Sequence, residues 1–134
     1  YEEYAQSIGL TDDQVHFTGH VGTALVPAAL AACDVLTMPF PDLPHYRTNM
    51  SPLKMFEYMA AGRPIVTSDL PPIRDVLDDQ SAFFFPPDDQ VGFISALRSV
   101  LDDPKVAQQK AEQARALAEE HTWERRMERV LASG

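Results

Sequence analysis

The sequence predicts a doubly wound α/β fold, and three observations carry that expectation. Four short apolar runs, at residues 15–18, 35–38, 65–67 and 82–85, are separated by segments of helical pattern. None of the runs alternates cleanly between apolar and polar residues, which suits strands covered on both faces in a parallel sheet. The chain of 134 residues with 45% hydrophobic residues is long enough for one packed domain and too apolar for a disordered tail.

Taken in order, residues 1–10 read as a helix closed by Gly9. The first strand, 15–18, follows. An alanine-rich helix at 23–32 leads into the strand at 35–38, and Cys33 within that approach reads as a small core residue. A helix at 52–61 ends at Gly62 with Pro64 just beyond, the expected C-cap arrangement, and the third strand begins at once. Helical patterns at 72–77 and 90–101 flank the last strand. Asp103 reads as an N-cap with Pro104 at the first helical position. Val106, Ala107, Ala111, Ala114, Leu117 and Ala118 then form an apolar stripe. Thr122 can cap a closing helix striped by Trp123, Met127, Val130 and Leu131, and His121 marks the joint.

The formal charge of −9 argues against a nucleic-acid backbone as partner, although a local site for one phosphorylated ligand needs only a few donors. A single cysteine excludes an intrachain disulfide and lends no support to secretion. No apolar run approaches the ~20 residues that span a bilayer, so a cytoplasmic location is expected. No pair among the histidines has metal-ligand spacing, so no protein-held metal is expected. His16 reads as a packed strand residue.

In open parallel sheets ligands bind beyond the carboxyl ends of the strands, which singles out the segments 19–22, 39–50 and 68–72. The middle one is long, holds Pro39, Pro41 and Pro44, and ends on a helix start. There Ser51 reads as an N-cap, Pro52 as the first helical residue, and Lys54 falls in the first turn. Free amides, a hydroxyl and a lysine make an anion site suited to phosphate. A surface lysine tolerating a mild dipole penalty gives the same pattern. One turn on, Glu57 interrupts the apolar stretch of Met55, Phe56, Tyr58 and Met59. A carboxylate there is expected to be part-buried and in need of donors, which a ribose diol or neighbouring backbone can supply.

The stretch SPLKMFEYMAAGRPIVTSDLPPIRDVL, residues 51–77, resembles the signature of the family-four, or group 1, retaining glycosyltransferases of the GT-B class. VHFTGHV at 15–21, LAACDVLTMPF at 30–40, FFFPPDD at 83–89 and HTWERRMERVL at 121–131 resemble its flanking units. The resemblance implies a Rossmann-like parallel sheet with flanking helices, the C-terminal, nucleotide-binding domain of a GT-B enzyme. It implies a nucleoside-diphosphate sugar as donor, UDP- or GDP-linked, with no separate cofactor. By the same resemblance Glu57 holds the nucleotide ribose, and Ser51, Pro52 and Leu53 face the diphosphate and donor sugar. Lys54 faces an anion or braces the loop, and Gly19, His20 and Val21 lie against the nucleobase.

The position eight before Glu57 is Asn49, where the family's E-x7-E motif has its first Glu. That residue contacts donor-sugar hydroxyls in the family, so Asn49 implies a changed sugar preference or lost activity. Asp42 and Arg47 in the same loop are further candidates for sugar contact. The resemblance also implies that residues 1–134 are a partial domain. The first strands, the phosphate-gripping basic residues and an N-terminal acceptor domain would lie upstream, and any peripheral membrane contact would come through that half. The fragment alone is then expected to be inactive. Two other readings stand beside this one: another GT-B enzyme such as a sugar-nucleotide epimerase, and a non-catalytic nucleotide-binding pseudoenzyme. A receiver-type domain of similar length lacks its acidic pair here, since Asp34 precedes its strand.

Overall fold

A computed structural model describes residues 1–48, 50 and 53–120. Three parallel strands, β1 (Leu36–Met38), β2 (Ile65–Ser68) and β3 (Phe83–Phe85), form a sheet in the order β1-β2-β3. Leu36 stands opposite Ile65, and Val66 opposite Phe83. Seven helices lie among the described residues: α1 (Glu2–Ser7), α2 (Val26–Ala31), α3 (Pro44–Thr48), α4 (Leu53–Ala61), α5 (Pro71–Arg74), α6 (Gln90–Asp102) and α7 (Pro104–Glu120). A single 3-10 turn, Thr23–Leu25, precedes α2. The sequential strand order is one wing of a doubly wound sheet.

The central strand is buried at every residue, and its side chains alternate between two faces. Ile65 joins Met38, Met55, Met59, Ile73 and Ala114 in one apolar cluster. Val66 joins Phe85, Ala96, Val100 and Ala107 in the other. Burial on both faces explains why the run Ile65–Ser68 shows no polar alternation in sequence. Helix α7 meets both clusters through its alanine stripe, Ala107, Ala111 and Ala114. Val106, expected in that stripe, is instead exposed. Asp103 caps α7, its Oδ1 accepting from the Val106 N–H at 3.0 Å.

Helix α4 stops where the sequence predicts. Gly62 takes a φ of 65°, a left-handed value that an L side chain resists, and its N–H donates to the Met59 carbonyl at 3.2 Å. The closing helix expected from Thr122 onward, with His121, Trp123, Met127, Val130 and Leu131, lies outside the described residues.

Three expectations are corrected. Residues 15–18 pair with none of the three strands; Val15 is half-buried and its N–H donates to Thr11 O at 3.0 Å. An apolar run becomes a strand only with a ladder partner beside it, and none is present among the described residues. His16 is accordingly exposed rather than packed. Cys33 is exposed, because it follows the end of α2 before β1 turns into the core.

The turn from β3 into α6 sets up a sign reversal. Asp89 caps α6, its Oδ1 accepting from the Gly92 N–H at 2.9 Å. A Cβ on Gly92 would stand 2.6 Å from Asp89 Oδ2 and 3.2 Å from Pro86 Cδ. Glycine to alanine within a helix ordinarily gains about 1 kcal/mol. Gly92→Ala is expected to lower the urea midpoint instead, because it both displaces a cap worth about 1 kcal/mol and crowds the Pro86 ring at 3.2 Å. In an Asp89→Ala background the same change is expected to recover part of the usual gain, and a double-mutant cycle by urea unfolding reads the coupling.

Candidate functional site

All three strands end on one edge, and the segments that leave it are tied to one another. The Ser68 hydroxyl, fully buried, donates to the Phe40 carbonyl at 2.7 Å. The Asp69 N–H donates to Phe85 O at 2.8 Å, and the Asp42 N–H donates to Asp88 Oδ2 at 3.0 Å. Beneath these ties lies a cavity of about 230 Å³, lined by Phe40, Ser68, Phe85, Asp88, Asp89 and Phe93 among others. The segment after β1 is partly helical, a correction to the expectation of an unstructured loop. Proline at the first position of α3 fixes a helix-compatible φ, and Tyr46 packs on Phe40 with ring centres 5.3 Å apart.

Two arginines are spoken for within this edge. Arg47 forms a forked pair with Asp42, with Nη2 to Oδ2 at 2.6 Å, and this pairing holds the Asp42 carboxyl below its usual range. The two candidates for sugar contact therefore satisfy each other first. Arg74 grips Asp69 with two bonds of 2.7 and 2.8 Å and reaches Asp79 at 2.8 Å. Its guanidinium lies 3.5 Å from the centre of the Phe84 ring. A planar fork stacked on an aromatic face is an arginine arrangement that lysine cannot copy. The Arg74 hydrogen bonds hold the Asp69 carboxyl low, against a smaller opposing effect of burial.

A second hollow, of about 400 Å³, runs between α2 and α4. Thr23, Val26, Leu30, Ala60 and Ala61 form its walls, Glu57 lines it from α4, and Arg115 lines it from α7. Glu57 is exposed, which corrects the expectation of a part-buried carboxylate. Met55 and Met59 are the buried residues of α4, and position 57 lies on the opposite side of the helix from them. Its charge still reaches the neighbouring phenol: burial chiefly, then the charges of Cys33 and Glu57, raise the Tyr58 pKa.

The other predicted site residues divide in three. Leu53 and Lys54 are exposed in the first turn of α4, with Lys54 Nζ 5.9 Å from the Phe40 ring centre. Gly19, with a φ of 63°, and His20 are exposed, while Val21 is half-buried. These three run directly into Thr23 without lining the hollow themselves. Asn49, Ser51 and Pro52 lie outside the described residues. Sequence reasoning missed Arg115, which reaches the hollow from a helix far along the chain and has no local signal. It also missed Asp88, although a residue other than glycine between proline and an N-cap was readable.

A family model described as glycosyl transferases, group 1, matches residues 1–103. The chain belongs to this family. This group 1 glycosyltransferase chain is 34% identical over 110 residues to the glycogen synthase of Mycobacterium tuberculosis. That match covers 81% of this chain and 25% of the mycobacterial protein, so the chain spans a quarter of that relative's length. The fold of the group 1 chain matches Anabaena HepE, solved in complex with UDP-glucose, with a TM-score of 0.76 at 18% identity, over 99% of this chain and 36% of that one. It also matches the C-terminal domain of a group 1 family protein, LpcC, of Francisella tularensis, with a TM-score of 0.70 at 18% identity, over 90% and 59% of the two chains. The fold is therefore that of a C-terminal GT-B domain. No described helix is long and apolar enough to cross a membrane.

The Asp69–Arg74 pair gives a pH signature. A carboxyl whose folded pKa lies below its unfolded value of about 3.9 adds stability above that value and loses it as pH falls through the folded one. Urea stability is expected to decline between about pH 5 and pH 2. Arg74→Gln is expected to remove part of that slope while leaving the neutral-pH fold intact by circular dichroism.

Proposed function

We propose that this chain is the donor-binding half of a glycosyltransferase that moves a sugar from a nucleoside-diphosphate sugar to an acceptor with retention of configuration. The observation that carries the reading is Glu57 lining an open hollow one turn below the start of α4, within the stretch that matches the family. An exposed carboxylate with no described hydrogen bond of its own is free to accept from two ribose hydroxyls. The fold shared with HepE, which was solved with UDP-glucose, supports a UDP-linked donor, with a GDP-linked one as the other choice.

In this arrangement the turn at Gly19, His20 and Val21 meets the nucleobase. Ser51 and Pro52, together with Leu53 and Lys54 in the first turn of α4, face the diphosphate. Amides and a lysine aimed at the leaving diphosphate stabilise charge as it develops, and fixed donors of this kind need no reorganisation during the reaction. Glu57 holds the donor through its ribose and transfers no proton. Asn49, carrying both a donor and an acceptor in place of a carboxylate, meets the donor sugar and shifts which sugar is preferred. The acceptor site belongs to an N-terminal domain, and the enzyme is cytoplasmic.

The test is a thermal-shift and binding series on the full-length protein with UDP, GDP, ADP and their glucose and mannose derivatives. One nucleotide is expected to raise the melting temperature. Glu57→Ala is expected to weaken that nucleotide at least tenfold, the effect of losing hydrogen bonds to a charged group. An absence of response to every nucleotide counts against donor binding.

A further inference from the structure

The geometry points to Asp88 as a positioning residue for the donor-side loop, acting through the backbone of Asp42. It rests on the functional reading above, in which Asn49, in the segment that follows β1, meets the donor sugar. Asp88 has a φ of 61°, the only described residue other than glycine in the left-handed region. Aspartate tolerates that conformation better than most residues, yet glycine takes it at no steric cost. A carboxylate at this position therefore needs a reason beyond the turn.

The reason is its reach. From the left-handed turn, Asp88 Oδ2 accepts the Asp42 N–H at 3.0 Å across 46 residues of sequence. Two residues earlier, the carbonyl of Phe40 is held by the Ser68 hydroxyl at 2.7 Å. The chain leaving β1 is thus tied at residue 40 to the end of β2 and at residue 42 to the turn after β3. Asp42 in turn forks onto Arg47 in α3, while the Phe40 ring packs on Tyr46 and lies 5.9 Å from Lys54 Nζ. Fixing the backbone at 40 and 42 therefore sets where Phe40 and Asp42 meet α3 and the first turn of α4. Asp89 next to it does a different job, capping α6. The two adjacent carboxylates divide the work between loop and helix.

Two substitutions in the full-length enzyme separate the backbone role of Asp88 from its side-chain role. Asp88→Gly removes the carboxylate and relieves the left-handed φ, so the melting temperature is expected to hold within a degree or two. Its amide at Asp42 is expected to exchange hydrogen several-fold faster. The donor KM is expected to rise roughly fivefold, the effect of one lost hydrogen bond, with kcat within twofold. Asp88→Asn keeps an acceptor oxygen and is expected to restore both exchange protection and KM. Unchanged Asp42 exchange in Asp88→Gly overturns the tie itself. Faster exchange with unchanged KM overturns the positioning role, and an asparagine variant as impaired as the glycine one shows that charge acts instead. If no nucleotide binds the wild type, donor binding fails, and the positioning role falls with it; the exchange measurement still judges the tie on its own.

Discussion

Burial of the short strand Ile65–Ser68 on both of its faces is the constraint from which the remaining arrangement follows. Each backbone group of a strand so enclosed needs a partner, and parallel neighbours on either side supply them. Parallel pairing forces every connection to cross back over a face, which places helices on both sides and sends all three outgoing segments from one edge. The ligand-side geometry is thus a consequence of how a four-residue strand avoids water. The buried hydroxyls at that strand's end carry the same logic outward. Ser68, with no solvent to bond, takes the Phe40 carbonyl and so fixes the segment leaving β1.

Much of this was legible in the residues. Strand positions at 35–38, 65–67 and 82–85 follow from apolar runs too dense to be half-exposed, and the caps at Gly62 and Asp103 follow from side-chain and backbone chemistry acting within four residues. Residues 15–18 failed because a strand is a relation between two segments, and its apolar character says nothing of whether a partner is there. Cys33 failed because a small apolar neighbourhood in sequence is no measure of where a helix end points. Glu57 is the instructive case: its apolar neighbours were taken to enclose it, whereas helical periodicity puts Met55 and Met59 on the far side of α4.

The candidate site divides along the same line. Local signals located the start of α4, whereas the segment at Gly19–Val21 is singled out as the end of a strand at 15–18 that does not form. Contributions that arrive through tertiary contact, such as Arg115 from α7, have no counterpart in neighbouring sequence, and for Asp88 the sequence shows the turn but not the reach to Asp42. Pairing of Asp42 with Arg47 inside the loop likewise emerges only once α3 forms and brings positions five apart together.

Helix α7 faces the interior with alanines. A stripe of Ala107, Ala111 and Ala114 lets the helix axis come close to what it covers, and it contributes to the apolar cluster on each side of the sheet. One helix therefore closes two compartments that share no other helix among the described residues. Opening either compartment requires that helix to lift or bend, so the two halves of the interior are bound to open as a single cooperative unit rather than in stages.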